Sequence, residues 1–302
     1  MPSVSPSKAA ISPASRPHNV ELTVLHQTTY HYPLKIHESY SIVHLRPRSD
    51  AAQYCTKYDL SISPRARLFS YLDRFGNDVQ HFAVLPDHDV LSVIARSSVV
   101  TVRPHEPDEP GPVTRTMLMN DPLVPTLFDF LNESTYVVFG PELRALAALV
   151  GEPEDDLAAW YLAAGHAMKS GFVYDTEATT VRSTVDESIR LRGGVCQDFA
   201  HILVALCRYH GIPARYVSGY IFSGQEQQML GAEASHAWCE AYLPPYGWVG
   251  FDPTNDKLIN DEFVKIGVGR DYRDVSPVRG VYKGASEGVM SVNVAMEMLA
   301  NQ

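Results

Sequence analysis

The stretch GGVCQDFAHILVALCRYHGIPARYVSGY, residues 193–220, changes its periodicity twice and so sets the architecture around it. Gly193-Gly194 stops whatever precedes it and a helix starts at once, so Cys196 falls in a first turn. Phe199, Ile202, Leu203 and Leu206 recur at helical spacing, which makes Cys196–His210 one buried helix. Gly211 ends it, with Pro213 just beyond. From there the period drops to two, and Ala214–Tyr220, Ser235–Tyr242 and Trp248–Asp252 read as strands. A helix with a cysteine at its amino end, packed on an antiparallel sheet, is the expected α+β core.

Upstream of this core the signals are helical. Pro141 sits at a first-turn position before ELRALAALV, and Glu154-Asp155-Asp156 opens a stretch that runs to Lys169 and closes at Gly171. Thr184 and Glu187 form a capping box. Further back, Arg103–Pro112 holds four prolines in ten residues and continues neither strand nor helix. The half before it is strand-like. Leu22, Val24, His26, Thr28 and Tyr30 alternate with a second face, Leu91–Val102 is β-rich, and Leu68–Arg74 and Val79–Leu85 flank a hairpin turn at Phe75-Gly76-Asn77-Asp78. The expected domains are a disordered Ser/Pro-rich tail over 1–19, an antiparallel β domain over 20–103, a Pro-rich connection over 104–130, and a catalytic unit over 131–302.

Composition narrows the function. A chain of 302 residues with 45% hydrophobic side chains is long enough for two cores. Its formal charge of −10, without a Lys/Arg cluster, argues against a nucleic-acid partner. No apolar run suits a membrane span, and the first twenty residues lack the apolar block of an export signal. A cytoplasmic location follows as an expectation, with Cys55, Cys196, Cys207 and Cys239 as free thiols.

The chemistry gathers around Cys196. A helix start offers unpaired N–H groups and the positive dipole end, which favour a sulfur anion there. Gly193 and Gly194 also allow close approach of backbone, as a substrate carbonyl would require. A lone cysteine in an apolar helix is more often small core filler, and its position at a helix start after Gly-Gly brings the two readings nearer to even. On its strand His236 shares a face with Trp238, while Ala237 and Cys239 take the other. The next strand, after Pro244-Pro245-Tyr246-Gly247, ends in Asp252, which an antiparallel pairing brings beside His236. A carboxylate there would hold the imidazole's tautomer. Each residue alone is more often structural; together they suit nucleophilic attack by Cys196, proton transfer by His236 and orientation by Asp252.

Rival sites are weaker. Cys196 and Cys207 are eleven apart on one helix, roughly 16 Å of rise, too far for one metal or a disulfide. No Cys-x2-Cys pair occurs, so neither metal nor other cofactor is expected. Gly284-Ala285-Ser286-Glu287-Gly288 matches G-x-S-x-G but leads into the strand-like SVNVAMEM, and no histidine follows it. The scattered His26, His31, His44, His81, His201 and His210 read as surface or core fillers.

Residues 194–201 (GVCQDFAH), 212–220 (IPARYVSGY), 235–238 (SHAW) and 247–255 (GWVGFDPTN) resemble the bacterial transglutaminase-like family, and 269–277 (GRDYRDVSP) is similar to its C-terminal signature. Leu45–Arg48 and Phe75–Asn77 resemble marks of the β-rich region that commonly precedes this core. The resemblance runs from Val20 to about Gly280. It implies a papain-like core and a Cys–His–Asp triad at Cys196, His236 and Asp252. Cys239 departs from the family's usual aliphatic residue, on the strand face away from His236. Kinship with calcium-dependent animal transglutaminases does not extend to metal use, since no acidic loop has calcium-ligand spacing. The expected activity is acyl transfer or hydrolysis on a peptide or protein amide. The alternative is a non-catalytic peptide-binding module that keeps the fold.

Overall fold

The computed structural model describes residues 19–103, 108–224, 229–231, 234–285 and 287–299. The expected tail lies outside the described residues except at its last position, and Ser286 of the G-x-S-x-G match lies outside them too.

The β-rich half is organised by one long strand. β1 runs Val20–Val43, and its first twelve residues alternate almost strictly between buried and half-buried, as the sequence pattern demands. The strand shifts register between His31 and Ile36, and carries Glu38 at φ +46. Its first part pairs with β5 (His88–Thr101), and its last with β4 (Asp78–Val84). β2 (Gln53–Ser63) adds to β5, and β3 (Phe69–Leu72) closes the expected hairpin with β4.

The connection expected over 104–130 is, over its described residues 108–130, more structured than its prolines suggest. α1 (Arg115–Asn120) is capped by Thr114, a 3-10 turn spans Val124–Phe130, and Val113 and Leu118 are buried in the helical core. Helices α2 (Pro141–Val150), α3 (Leu157–Gly171) and α4 (Val185–Leu191) follow, with Asp156 capping the start of α3 and the Thr184–Glu187 box opening α4. Between them β6 (Val173–Tyr174) pairs in parallel with β7 (Gly193–Gly194). The cysteine helix α5 (Cys196–Tyr209) is buried on nearly all sides and packs on the second sheet. That sheet has the order β11-β10-β9-β8-β12, from β8 (Ala214–Ile221), β9 (His236–Leu243), β10 (Gly247–Asp252), β11 (Lys257–Leu258) and β12 (Phe263–Gly269).

The assignment of everything from 131 to 302 to one catalytic unit needs amendment at its C-terminal end. After the short helix α6 (Tyr272–Val275), β13 (Val278–Lys283) and β14 (Val289–Leu299) return to pair with β1 over residues 37–43 and 21–31. Alternation marks SVNVAMEM as a strand but not which sheet receives it. The two halves are further joined along β12, whose free edge is met by side-chain amides. Gln53 both donates to and accepts from the Lys265 backbone at 2.8 Å. Asn77 does the same at Val268, at 2.8 and 2.9 Å. These amides continue the ladder and cover an exposed strand edge.

Candidate active site

Cys196 is the first residue of α5 and is 8% exposed. Its helix start is built by Asp198, three residues past Val195, whose carboxylate accepts from the Val195 N–H at 2.9 Å, Ser188 Oγ at 2.8 Å and Thr179 Oγ1 at 2.6 Å. A Cβ on Gly194 would stand 2.4 Å from that carboxylate, so the second glycine makes room for the capping group. The N–H groups of Cys196 and Gln197 lie in the first turn and have no carbonyl within the helix to reach.

His236 opens β9 and is fully buried. The β9–β10 register runs from Leu243–Gly247 to Cys239–Phe251, so Asp252 lies one step past the last pair and reaches His236 diagonally. Asp252 Oδ2 stands 2.7 Å from His236 Nε2. The other ring nitrogen, Nδ1, has no hydrogen-bond partner and faces Cys196. A point at the missing Cβ of Gly231 lies 2.7 Å from Nδ1 and 3.8 Å from Cys196 Sγ, so Gly231, at φ +84, roofs both groups. A side chain there would intrude between roof and imidazole.

The electrostatics follow from the partners. Burial works against a charged imidazole, yet Asp252 and Cys196 outweigh it and hold His236 up at about 10. Burial alone would raise Asp252. The His236 charge and the bonds donated by His236, Asn255 and the Thr254 N–H pull it below the usual carboxylate range.

Two parts of this arrangement escape the sequence reading. Asn255 donates from Nδ2 to Asp252 Oδ2 at 2.8 Å and to the Leu230 carbonyl at 3.2 Å, and accepts from the Leu230 N–H at 2.9 Å. It thereby ties the carboxylate to the backbone beside Gly231. Its place in GWVGFDPTN, three residues past Asp252, is the signal that could have singled it out. His26 lines the same cleft as Cys196, although alternation on β1 marks it only as one core-facing residue among several. Of the remaining thiols, Cys207 and Cys239 are fully buried among apolar side chains and Cys55 is partly exposed. Among the described residues no group of three His, Cys, Asp or Glu side chains is placed to hold a metal ion.

The strand that carries His236 is fixed from behind by ion pairs. Glu240 Oε2 lies 2.6 Å from Arg215 Nε, and Oε1 lies 2.7 Å from Lys265 Nζ. Burial opposes its charge, but these two cations hold Glu240 down at about 2.

Residues 145–253 match the transglutaminase-like superfamily, and residues 22–100 match the bacterial transglutaminase-like N-terminal region. An uncharacterized protein of Mycobacterium tuberculosis is 32% identical over 298 residues, covering 93% of each chain. One of Mycobacterium leprae is 32% identical over 282 residues, covering 92% of this chain and 99% of its own. The chain belongs to the bacterial transglutaminase-like family. Its fold is shared by the crystal structure of a candidate cysteine protease from Cytophaga hutchinsonii, with a TM-score of 0.76, 22% identity, and 94% and 92% of the two chains covered. A protein-glutamine gamma-glutamyltransferase of Pseudomonas aeruginosa is 38% identical over 69 residues, 21% of this chain and 10% of that one.

Proposed function

We propose that the chain is a thiol enzyme that forms an acyl-Cys196 intermediate from a peptide or side-chain amide. The observation that carries this reading is the buried relay in which Asp252 engages Nε2 of His236 and leaves Nδ1 turned toward Cys196. Cys196 Sγ attacks the amide carbonyl carbon, and the carbonyl oxygen becomes an oxyanion facing the Cys196 N–H. The C–N bond then breaks as His236 gives its proton to the leaving amine, and a thioester remains. In the second half a water or an amine loses a proton to His236 and adds to the thioester carbon. Collapse releases the acid or the new amide and returns sulfur as the anion. Asp252 keeps Nε2 engaged throughout, so Nδ1 alone exchanges protons.

Water is the favoured acceptor. Among the described residues no Asp or Glu side chain lines the cleft to receive the ammonium of a lysine. The gamma-glutamyltransferase named above makes transfer to an amine the second reading. Four free thiols suit a reducing compartment, and we place the enzyme in the cytoplasm; among the described residues no helix is long and apolar enough to cross a membrane.

The test is intact-mass detection of an acyl adduct after exposure to a peptide library, with and without added amine. An adduct mapping to Cys196, absent from Cys196→Ala together with all turnover, is the expected result. Turnover of any substrate by Cys196→Ala contradicts the reading, and a bound peptide without adduct or turnover makes the protein a binding module.

A further inference from the structure

Part of the lining of the cleft at Cys196 comes from the N-terminal sheet. Thr28 of β1 and Val292 and Met290 of β14 line the same space as Cys196 and His236, a cleft of about 190 Å³. The β1–β14 register sets His26 beside Val294, Thr28 beside Val292 and Tyr30 beside Met290, so these pairs form one ladder on one face. Exposure climbs along it, from 8% at Val294 through 36% at Val292 to 51% at Met290. Two adjacent apolar side chains thus stay open to solvent where their face passes the thiol, while their neighbour on the same strand is covered. Among the described residues the cleft is lined by no Asp, Glu, Lys or Arg, in a chain whose formal charge is −10. An open apolar step formed by Val292 and Met290, with no Asp, Glu, Lys or Arg in the lining, suits an apolar side chain and penalises a carboxylate, which would lose its water against those two side chains.

We infer that the β1–β14 ladder is the specificity wall of the enzyme, and that Val292 and Met290 seat an aliphatic side chain on the residue adjoining the reacting carbonyl. This rests on the thiol-enzyme reading above and gives the N-terminal sheet its task. The return of β14 to β1 then has a functional consequence, because it carries these two side chains to the cleft.

The inference is tested on the full chain with N-acetyl-leucyl and N-acetyl-aspartyl chloromethyl ketones. In each, a bond forms between Cys196 Sγ and the methylene carbon as chloride leaves, so no turnover is needed. Iodoacetamide, which has no side chain to seat, supplies the reference rate in every variant. The leucyl reagent is expected to modify Cys196 roughly 10- to 200-fold faster than the aspartyl one, the range a hydrophobic subsite commands. Val292→Lys and, at the more exposed position, Met290→Lys, which remove the apolar seat and offer a cation to the aspartyl reagent, should each shrink that ratio about tenfold or more. Equal leucyl and aspartyl rates in the unaltered chain, alongside rapid iodoacetamide labelling, overturn the wall and leave the thiol enzyme standing. A ratio unmoved by both substitutions overturns it equally. A leucyl preference lost in both variants, with Cys196 no faster than Cys55 toward iodoacetamide, supports the wall and removes the enzyme.

Discussion

Two histidines line the same cleft, each about 1% exposed, and their surroundings shift them in opposite directions. His236 is held up at about 10 because a carboxylate stands 2.7 Å from its Nε2. His26 is pushed down to about 4 by burial, since its partners are neutral hydroxyls, Thr28 Oγ1 at 2.9 Å and Tyr220 at 3.1 Å. Burial is common to both, so the partner decides which imidazole is favoured in its charged form and which is favoured neutral, fastening β1 to β8. A histidine in a dry pocket is therefore no evidence of catalysis until the group behind it is known.

Removing the carboxylate breaks this contrast most severely. Asp252→Asn should lower turnover by about 10⁴-fold through loss of the correct tautomer, and bring the His236 titration down from about 10. Steady-state kinetics and an imidazole NMR titration check both; an unchanged His236 titration would show that Asp252 is not its controlling partner. Asn255→Ala leaves the triad intact and frees Asp252 Oδ2 and Leu230 from their common bridge. A loss on the order of 10²-fold in kcat is expected from the loosened geometry, with Asn255→Asp failing to rescue because it brings a second carboxylate to Asp252. A kcat within twofold of the unaltered enzyme would make Asn255 a bystander.

The smallest effect belongs to His26 and concerns stability. Its value falls from 6.5 unfolded to about 4 folded, so its contribution is complete above 6.5 and is lost as pH falls toward 4, where only the unfolded chain takes up the proton. His236 behaves inversely: its value rises from 6.5 to about 10, so its contribution is present below 6.5 and is lost as pH rises through about 10. His26→Gln should remove about 2 kcal/mol of the stability lost between pH 7 and 5, and leave the alkaline limb alone. Urea unfolding at the two pH values measures this, and an acid limb of unchanged steepness would contradict it.

Much of this architecture was legible in local chemistry. The capping box at Thr184, the stop at Gly211 and the alternation on β8, β9 and β10 are short-range signals, and each element formed where its signal lay. Cys196, His236 and Asp252 could be proposed together because hairpin register relates two of them and a helix start marks the third. Long-range pairing was not legible. Nothing in SVNVAMEM says that β14 joins β1 from more than 250 residues away, so the cleft wall stayed hidden. The roles of Asn255 and Gly231 were hidden for the same reason, because both depend on a loop meeting a strand end. At Gly194 the local signal was legible, while the Asp198 carboxylate that a side chain there would meet was not.

The relay at Cys196 is tested most directly by the order in which the four thiols react with iodoacetamide near neutral pH, followed by peptide mapping. Accessibility alone ranks the partly exposed Cys55 ahead of Cys196, which is 8% exposed, and both ahead of the buried Cys207 and Cys239. An activated nucleophile inverts the first two, so Cys196 should be modified first, with Asp252→Asn restoring the order set by exposure. Labelling of Cys55 ahead of Cys196 in the unaltered protein would contradict the assignment.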